Sequence, residues 1–312
     1  MKLKDKWKRG IPYVGNKGQK AQQIIDLLPT GGRFIDCFGG GGSISLHAWD
    51  SGKYKEVIYN EKRASVVELL QLLLDNDPQI DLNKYVYLTR EQFFDWRDNQ
   101  PDSWERTLIL LVWSFSNNMH DYLWGKKVAP DKFLLTRALF FGDTGTQFDE
   151  MYENSKNLTT IAEKYTCFHK WRREKMGISS RYDSLQQLQQ LEQLQQLERL
   201  RQLQQLQQLQ QLERLKQASI PGITFITGDY RDLAIKNDDV LYCDPPYIGT
   251  GVDYGGFDFD VFHDWYMNCP ADVYISEYTQ LPDTEVYADL GSKHSMTSTG
   301  KRRNELLLRV VK

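Results

Sequence analysis

The sequence is poor in the features that most readily betray a function. Its 312 residues hold only four cysteines (Cys37, Cys167, Cys243 and Cys269), widely spaced and with no CxxC pair. That spacing argues against a zinc site or a disulfide framework, and no metal is expected. Cys37 and Cys243 lie in apolar runs that read as buried strands, so the expectation is reduced core thiols in a cytosolic protein. No apolar run approaches the roughly 20 residues that span a bilayer, so no membrane association is expected. The opening segment, MKLKDKWKRGIPYVGNK, is basic but lacks a following apolar stretch, which argues against a secretory signal. The net charge is −3, which does not by itself announce a nucleic-acid partner.

The distribution of charge says more than the sum. Lys2, Lys4, Lys6, Lys8, Arg9, Lys17 and Lys20 crowd the start of the chain. Lys164, Lys170, Arg172, Arg173 and Lys175 form a second group, and Lys301, Arg302 and Arg303 a third. Solvated surface runs look the same, so these clusters favour DNA only slightly. With 40% apolar and 26% charged residues, the chain has the composition of an ordinary globular protein.

Strand and helix signals alternate in two blocks. GGRFIDCFGGGGSISLHAW reads as a strand (Arg33 to Cys37), a four-glycine turn (Gly39 to Gly42) and a helix with Ser43 as its N-cap. KEVIYNEKRASVVELLQLLL repeats the pattern, with a strand at Val57 to Tyr59 and a helix carrying Val66, Val67, Leu69, Leu70 and Leu73. Successive strand–helix units predict a parallel sheet with helices on both faces. ITFITGD, DVLYCDPPY, DVYISEY and NELLLRVV return to short β-rich runs. Between the blocks, residues 85–180 are rich in aromatics and polar groups, with a helix predicted near Trp104 to Phe115. The expected organisation is the first part of the sheet-bearing domain at 1–84, an insert at 85–180, a low-complexity helical insert at 181–218 and the rest of the sheet-bearing domain at 219–312.

The low-complexity insert places leucine at every third position from Leu185 to Leu215, mostly separated by Gln-Gln. Leu, Gln, Glu and Arg all favour helix. A period of three, however, makes the leucines drift around the cylinder instead of holding one face. This fits a long helix better than a regular coiled coil. Two readings stand: a repeat expansion without chemical importance, or an arm for dimerisation or partner binding.

Three segments carry chemistry. Asp244-Pro245-Pro246-Tyr247 follows directly on the apolar run Val240 to Cys243. In α/β sheets, ligands bind at the C-terminal ends of strands. Two prolines stiffen the turn and leave their carbonyls without a competing N–H. A carboxylate, a fixed carbonyl and an aromatic face in one rigid turn suit an amino group on a flat heterocycle. A plain strand-ending turn has a similar composition. The glycine turn after Asp36 lets a ligand approach the backbone. It matches neither a dinucleotide fingerprint nor a P-loop, having no lysine. Glu61, past the second strand, suits paired ribose hydroxyls. It equally suits a helix N-terminus.

In combination, these segments resemble the Dam-type (D12 class) DNA adenine-N6 methyltransferases. The likeness covers most of residues 10–75 and 223–312. Tyr13-Val14-Gly15-Asn16-Lys17 is similar to the family's aromatic-x-Gly-x-Lys element. Asp36 to Ser43 resembles its S-adenosylmethionine (AdoMet) loop, and Asp244 to Tyr247 is its DPPY motif. Asn60-Glu61 stands where the family usually has Asn-Asp. Gly228-Asp229-Tyr230, Ser276-Glu277-Tyr278 and Arg303 to Leu307 resemble later elements. The Leu-Gln repeat is foreign to the pattern.

The resemblance implies an α/β, Rossmann-like AdoMet-dependent methyltransferase sheet with an inserted target-recognition region. It implies AdoMet bound by Tyr13, Lys17, Asp36, Phe38, Gly39, Gly41, Glu61, Asp229, Tyr230 and Asp244. It assigns catalysis to Asp244, Pro245, Pro246 and Tyr247, acting on an adenine flipped out of double-stranded DNA. Lys8, Arg9, Asn117, Asn118, Lys126, Lys127 and Arg137 are the expected DNA contacts. The rivals are N4-cytosine or RNA adenine methylation, and a non-catalytic DNA-binding or assembly protein built on the Leu-Gln arm.

Overall fold

The computed structural model describes residues 10–179, 203–216, 222–248, 257–292 and 304–312. The strands are β1 (Gly31–Asp36), β2 (Tyr54–Glu61), β3 (Ile223–Thr227), β4 (Val240–Cys243), β5 (Asp272–Glu277), β6 (Thr284–Ser292) and β7 (Asn304–Val310). The helices are α1 (Ala21–Leu27), α2 (Ser43–Ser51), α3 (Ala64–Leu74), α4 (Arg90–Asp98), α5 (Trp104–Trp113), α6 (Ala129–Phe141), α7 (Asp149–Ser155), α8 (Ile161–Ser179), α9 (Gln204–Lys216) and α10 (Phe259–Asn268). Contacts divide the chain into two units, Met1–Asp75 with Ala218–Lys312, and Asn76–Gln217.

The first unit is built on a seven-stranded sheet in the order β3-β2-β1-β4-β5-β7-β6. The five strands from β3 to β5 are parallel, and β7 runs antiparallel to both β5 and β6. Alternation along each strand sorts side chains to the two faces. Phe34, Val57, Val240, Tyr242 and Leu307 meet Ile24, Ile25, Ile44 and Ala48 of α1 and α2. Their neighbours Ile35, Ile58, Leu241, Cys243 and Leu308 meet Phe262 and Tyr266 of α10. Helices therefore cover both faces, which explains why these strands read as continuous apolar runs. This is the Rossmann-like α/β architecture expected from the sequence. The four cysteines are free; Cys37, Cys243 and Cys269 are buried.

Two local expectations need correction. Ser43 is not the N-cap of α2: Gly42 is, at φ 78°. A side chain at Gly42 would press on Leu70, its Cβ lying 2.6 Å from that residue's Cδ2. Strand β6 is absent from the sequence-based reading. It is an edge strand with register shifts at Val286/Ala288 and Asp289/Ser292, and these break the two-residue period by which a strand is read.

The second unit is helical among its described residues. Thr89 and Gln92 form a capping box on α4, and Ser103 caps α5. Trp113, Trp124 and Phe93 are fully buried. The link after α5 is closed by a bridge between Ser114 and Tyr122. Ser116, Asn117 and Met119 in it all take positive φ, a cost that surrounding contacts must offset. Arg97 donates to the His120 carbonyl and Arg90 to that of Trp124.

The last turns of the Leu-Gln repeat belong to this unit. Leu203, Leu206, Leu209, Leu212 and Leu215 are all buried. A three-residue step falls about 60° short of a turn, so these leucines sweep through about 240°. The drift is satisfied because α9 packs on α8, on α5 and on the turn Leu82–Tyr85. Gln208 is also buried. With its amide oriented to satisfy its neighbours, it donates to the Leu111 and Val112 carbonyls and accepts from Asn117. It thus closes the open end of α5. Residues 185–202 of the repeat lie outside the described residues.

Candidate functional site

The strand order reverses between β1 and β4, and a ligand cleft is expected beyond the C-terminal ends of those strands. A cavity of about 540 Å³ lies there. Its first wall is the glycine turn after β1, shaped by β2. Gly39 N–H donates to the Asn60 carbonyl (2.7 Å). Tyr59 hydroxyl donates to the Gly40 carbonyl (2.7 Å), and the Glu61 carboxylate accepts from Gly40 N–H (3.0 Å). A Cβ on Gly39 would lie 2.2 Å from the Tyr59 ring, so this position demands glycine.

Over this turn runs the N-terminal segment. Ile11 N–H donates to the Gly41 carbonyl (2.9 Å), and Asn16 ties back to Ile11 and Gly18. Gly10, at φ 67°, permits the approach, since a Cβ there would meet the Gly41 oxygen at 1.8 Å. The docking carries Tyr13 and Lys17 into the cavity wall.

The opposite wall is the turn after β4. All the catalytic and cofactor candidates line this one cavity: Asp244, Pro245, Pro246 and Tyr247, with Tyr13, Lys17, Asp36, Phe38, Gly39, Gly41, Glu61, Asp229 and Tyr230. Sequence reasoning does not pick out Lys20, Asn60, Tyr278 or Glu305 as site residues. Asn60 holds the Cys37 and Gly228 carbonyls. The signals for Glu305 are an acid inside the apolar run NELLL and its place in the Arg303 to Leu307 element, neither of which assigns it a role.

Electrostatically the cavity is acidic. Burial pushes the Asp36 carboxyl up to about 7, with Ser45 and Asp244 as lesser influences. Ser45 donates to one Asp36 oxygen (2.7 Å); the other is buried and has no hydrogen-bond partner among the described residues. Burial also raises Glu61, against the backbone N–H groups of Arg63 and Gly40. Asp229 is lowered by its bond to Arg231. Burial raises Asp244, opposed by Lys17, whose ammonium lies 2.7 and 2.5 Å from its two oxygens. Burial disfavours the Lys17 charge, yet Asp244 and Glu305 together keep it protonated. Tyr247 stands beneath Lys17, 4.8 Å from ring centroid to ammonium, with Tyr278 edge-on at 4.6 Å. Such a cavity suits a ligand with a positive charge, hydroxyl groups and a flat ring.

The DNA candidates fare unevenly. Lys8 and Arg9 lie outside the described residues. Asn117 is half-buried and its amide donates to the Leu111 carbonyl (2.7 Å), so it serves the end of α5. Asn118 is exposed, though its side chain also closes a turn onto His120 and Asp121. Lys126 and Lys127 are exposed. Arg137 is exposed and paired with Asp143. No group of ligating side chains suited to a metal occurs among the described residues. No described helix is long and apolar enough to cross a membrane.

A Rossmann-like sheet with an acidic, aromatic cavity at its switch point, beside a rigid DPPY turn, defines the class, an α/β fold with a candidate small-ligand site. The family model for the D12 class N6 adenine-specific DNA methyltransferases matches residues 13–265, and the chain belongs to that family. It is an adenine-specific DNA methyltransferase. No curated protein matches the chain.

Proposed function

We propose that the cavity holds AdoMet and an adenine flipped out of double-stranded DNA, and that the enzyme acts at a specific site. The observation that carries this reading is the shared cavity: the glycine turn and the Asp244 to Tyr247 turn face one space. The residues suit AdoMet. The Asp36 oxygen without a partner among the described residues and the acidic wall match its cationic groups, Glu61 its ribose hydroxyls, and Phe38 and Tyr230 (rings 5.0 Å apart) its base. When bound, AdoMet supplies an electrophilic methyl group.

The protein's own residues do the rest. Flipping the adenine costs a few kcal/mol, and stacking on Tyr247 returns roughly 1–3 kcal/mol. The adenine amine is a weak nucleophile because its lone pair is delocalised into the ring. Asp244 and the Pro245 carbonyl accept its two hydrogens, which favours a pyramidal nitrogen and stabilises the positive charge growing there. The surplus proton then leaves through Asp244. Lys126, Lys127, Arg137 and Asn118 are the proposed described contacts to DNA, joined by Lys8 and Arg9.

The test is expression in a methylation-free bacterial host, with the DNA sequenced by a method that detects N6-methyladenine. A recurrent methylated site is expected. Asp244→Ala should remove it, with a loss of methyl transfer of about 100- to 1,000-fold, while AdoMet still partly binds (order of magnitude from preorganised charge stabilisation). Unmethylated DNA from the unaltered protein would refute the reading.

A further inference from the structure

Glu305 has no part in the chemistry set out above. It stands on β7 beside the fully buried Leu307 and Leu308, and it is itself 1% exposed. An unpaired carboxylate there would be costly. Its oxygens are instead fully engaged. One lies 3.1 Å from the Lys20 ammonium. The other accepts from the Tyr247 hydroxyl at 3.1 Å and lies 3.7 Å from the Lys17 ammonium. Lys17 in turn is bonded to Asp244. Two carboxylates and two ammonium groups thus form one charge-balanced set, buried except for the half-buried Asp244, with the Tyr247 hydroxyl joined to it.

This geometry acts on the site in two ways. Stacking on Tyr247 needs a fixed ring plane. Tyr278 braces the ring edge-on, while Glu305 holds its far end through the hydroxyl. Lys17 binds both oxygens of Asp244, the carboxylate that must receive the amine. Glu305 offers Lys17 a second anion within 4 Å, so that an Asp244 oxygen can be released without stranding a buried cation.

We propose that Glu305 is a positioning residue for methyl transfer: it fixes the plane of Tyr247 and gives Lys17 a second anion, so that Asp244 can free an oxygen for the amine of the target base. This rests on the reading of Asp244 and Tyr247 given above. The charged and titratable groups facing the set are Lys17 and Lys20 from the N-terminal segment, Asp36 and Tyr242 from β1 and β4, Asp244 and Tyr247 from the turn after β4, and Glu277 and Tyr278 at the end of β5. Removing the Glu305 charge takes a negative neighbour from both Asp244 and Lys17. Both then titrate at lower pH, and the whole pH–rate profile moves toward acid.

Glu305→Gln keeps the shape and a hydrogen-bond acceptor while removing the charge. Single-turnover methyl transfer to DNA across pH, with AdoMet affinity by calorimetry, reads the effect. We expect a rate loss of about 10- to 100-fold, an AdoMet Kd within about threefold of the unaltered protein, and a profile displaced to lower pH. Tyr247→Phe keeps the ring and removes the hydroxyl with its bonds to Glu305 and Asp244, so the double variant should lose less than the product of the single losses. An unchanged rate and profile in Glu305→Gln would overturn the proposal. So would a fall in AdoMet affinity and melting temperature with the profile unmoved, which would make Glu305 a residue of the fold alone. An Asp244→Ala variant that still methylates would instead sink the underlying reading.

Discussion

Replacing Asp36 with asparagine tests the electrostatics of the cavity most directly. Asp36 is 1% exposed and its carboxyl titrates at about 7 instead of the ordinary 3.8. The folded state therefore keeps a proton that the unfolded chain has lost. Its stability falls as pH rises from about 4 to about 7 and levels off above. At about 1.36 kcal/mol per unit, a shift of about three units makes the charge cost about 4 kcal/mol at pH 8, and about 2 kcal/mol at pH 5. An amide in place of the carboxyl would carry no charge and could still accept from Ser45. The variant should therefore melt higher than the unaltered protein. At about 2–4 °C per kcal/mol, the gain at pH 8 is roughly 8–16 °C as an upper bound, and it shrinks by about half at pH 5. The same change should weaken AdoMet binding by about tenfold or more, since a charged acceptor is lost. AdoMet affinity of the unaltered protein should rise with pH through about 7, and that of the variant should stay flat. Scanning calorimetry at the two pH values and titration calorimetry with AdoMet measure both. A variant that melts no higher at pH 8 and binds AdoMet as well as before would refute the reasoning.

Further outcomes are expected. Gly39→Ala drives a Cβ to 2.2 Å from the Tyr59 ring, whose hydroxyl is tied to Gly40; the turn must shift, and AdoMet Kd should rise at least about tenfold by calorimetry, at a stability cost of about 1–3 kcal/mol. Leu209→Ala opens a cavity where α9 packs within the second unit, and chemical denaturation should register a loss of about 2–5 kcal/mol; a loss well below about 1 kcal/mol would show that the repeat's end is not structural. Gln208→Leu removes the amide that closes α5 and bonds Asn117; the KM for DNA should rise several-fold with AdoMet affinity unchanged, as seen in steady-state assays at fixed salt.

Most of the sheet is legible in the sequence because its signals are local. β1, β2, β4 and β5 are short apolar runs that end in or run straight into an acidic residue, and burial on both faces makes each a largely apolar word. β6 escapes because an edge strand needs apolar residues only where it touches the sheet, and its bulges displace even those. The Leu-Gln repeat reads as having no helical face of its own. Taken alone that holds, but α9 is enclosed on several sides, and an enclosed helix needs no single face.

The site divides along the same line. What the sequence by itself determined was everything carried by neighbouring residues: the strand–glycine turn–helix unit, the stiff Asp244 to Tyr247 corner, and an acid after each strand that could meet a ligand. Only the tertiary structure decided which of these groups answer one another. It set Lys17 on Asp244, 227 residues away, drew Glu305 and Lys20 into the same buried set, turned Asn117 inward to close a helix, and buried Asp36 deeply enough to raise its pKa. The physical reason is that ion pairing and desolvation depend on distance and burial in space, neither of which leaves a period or a spacing along the chain.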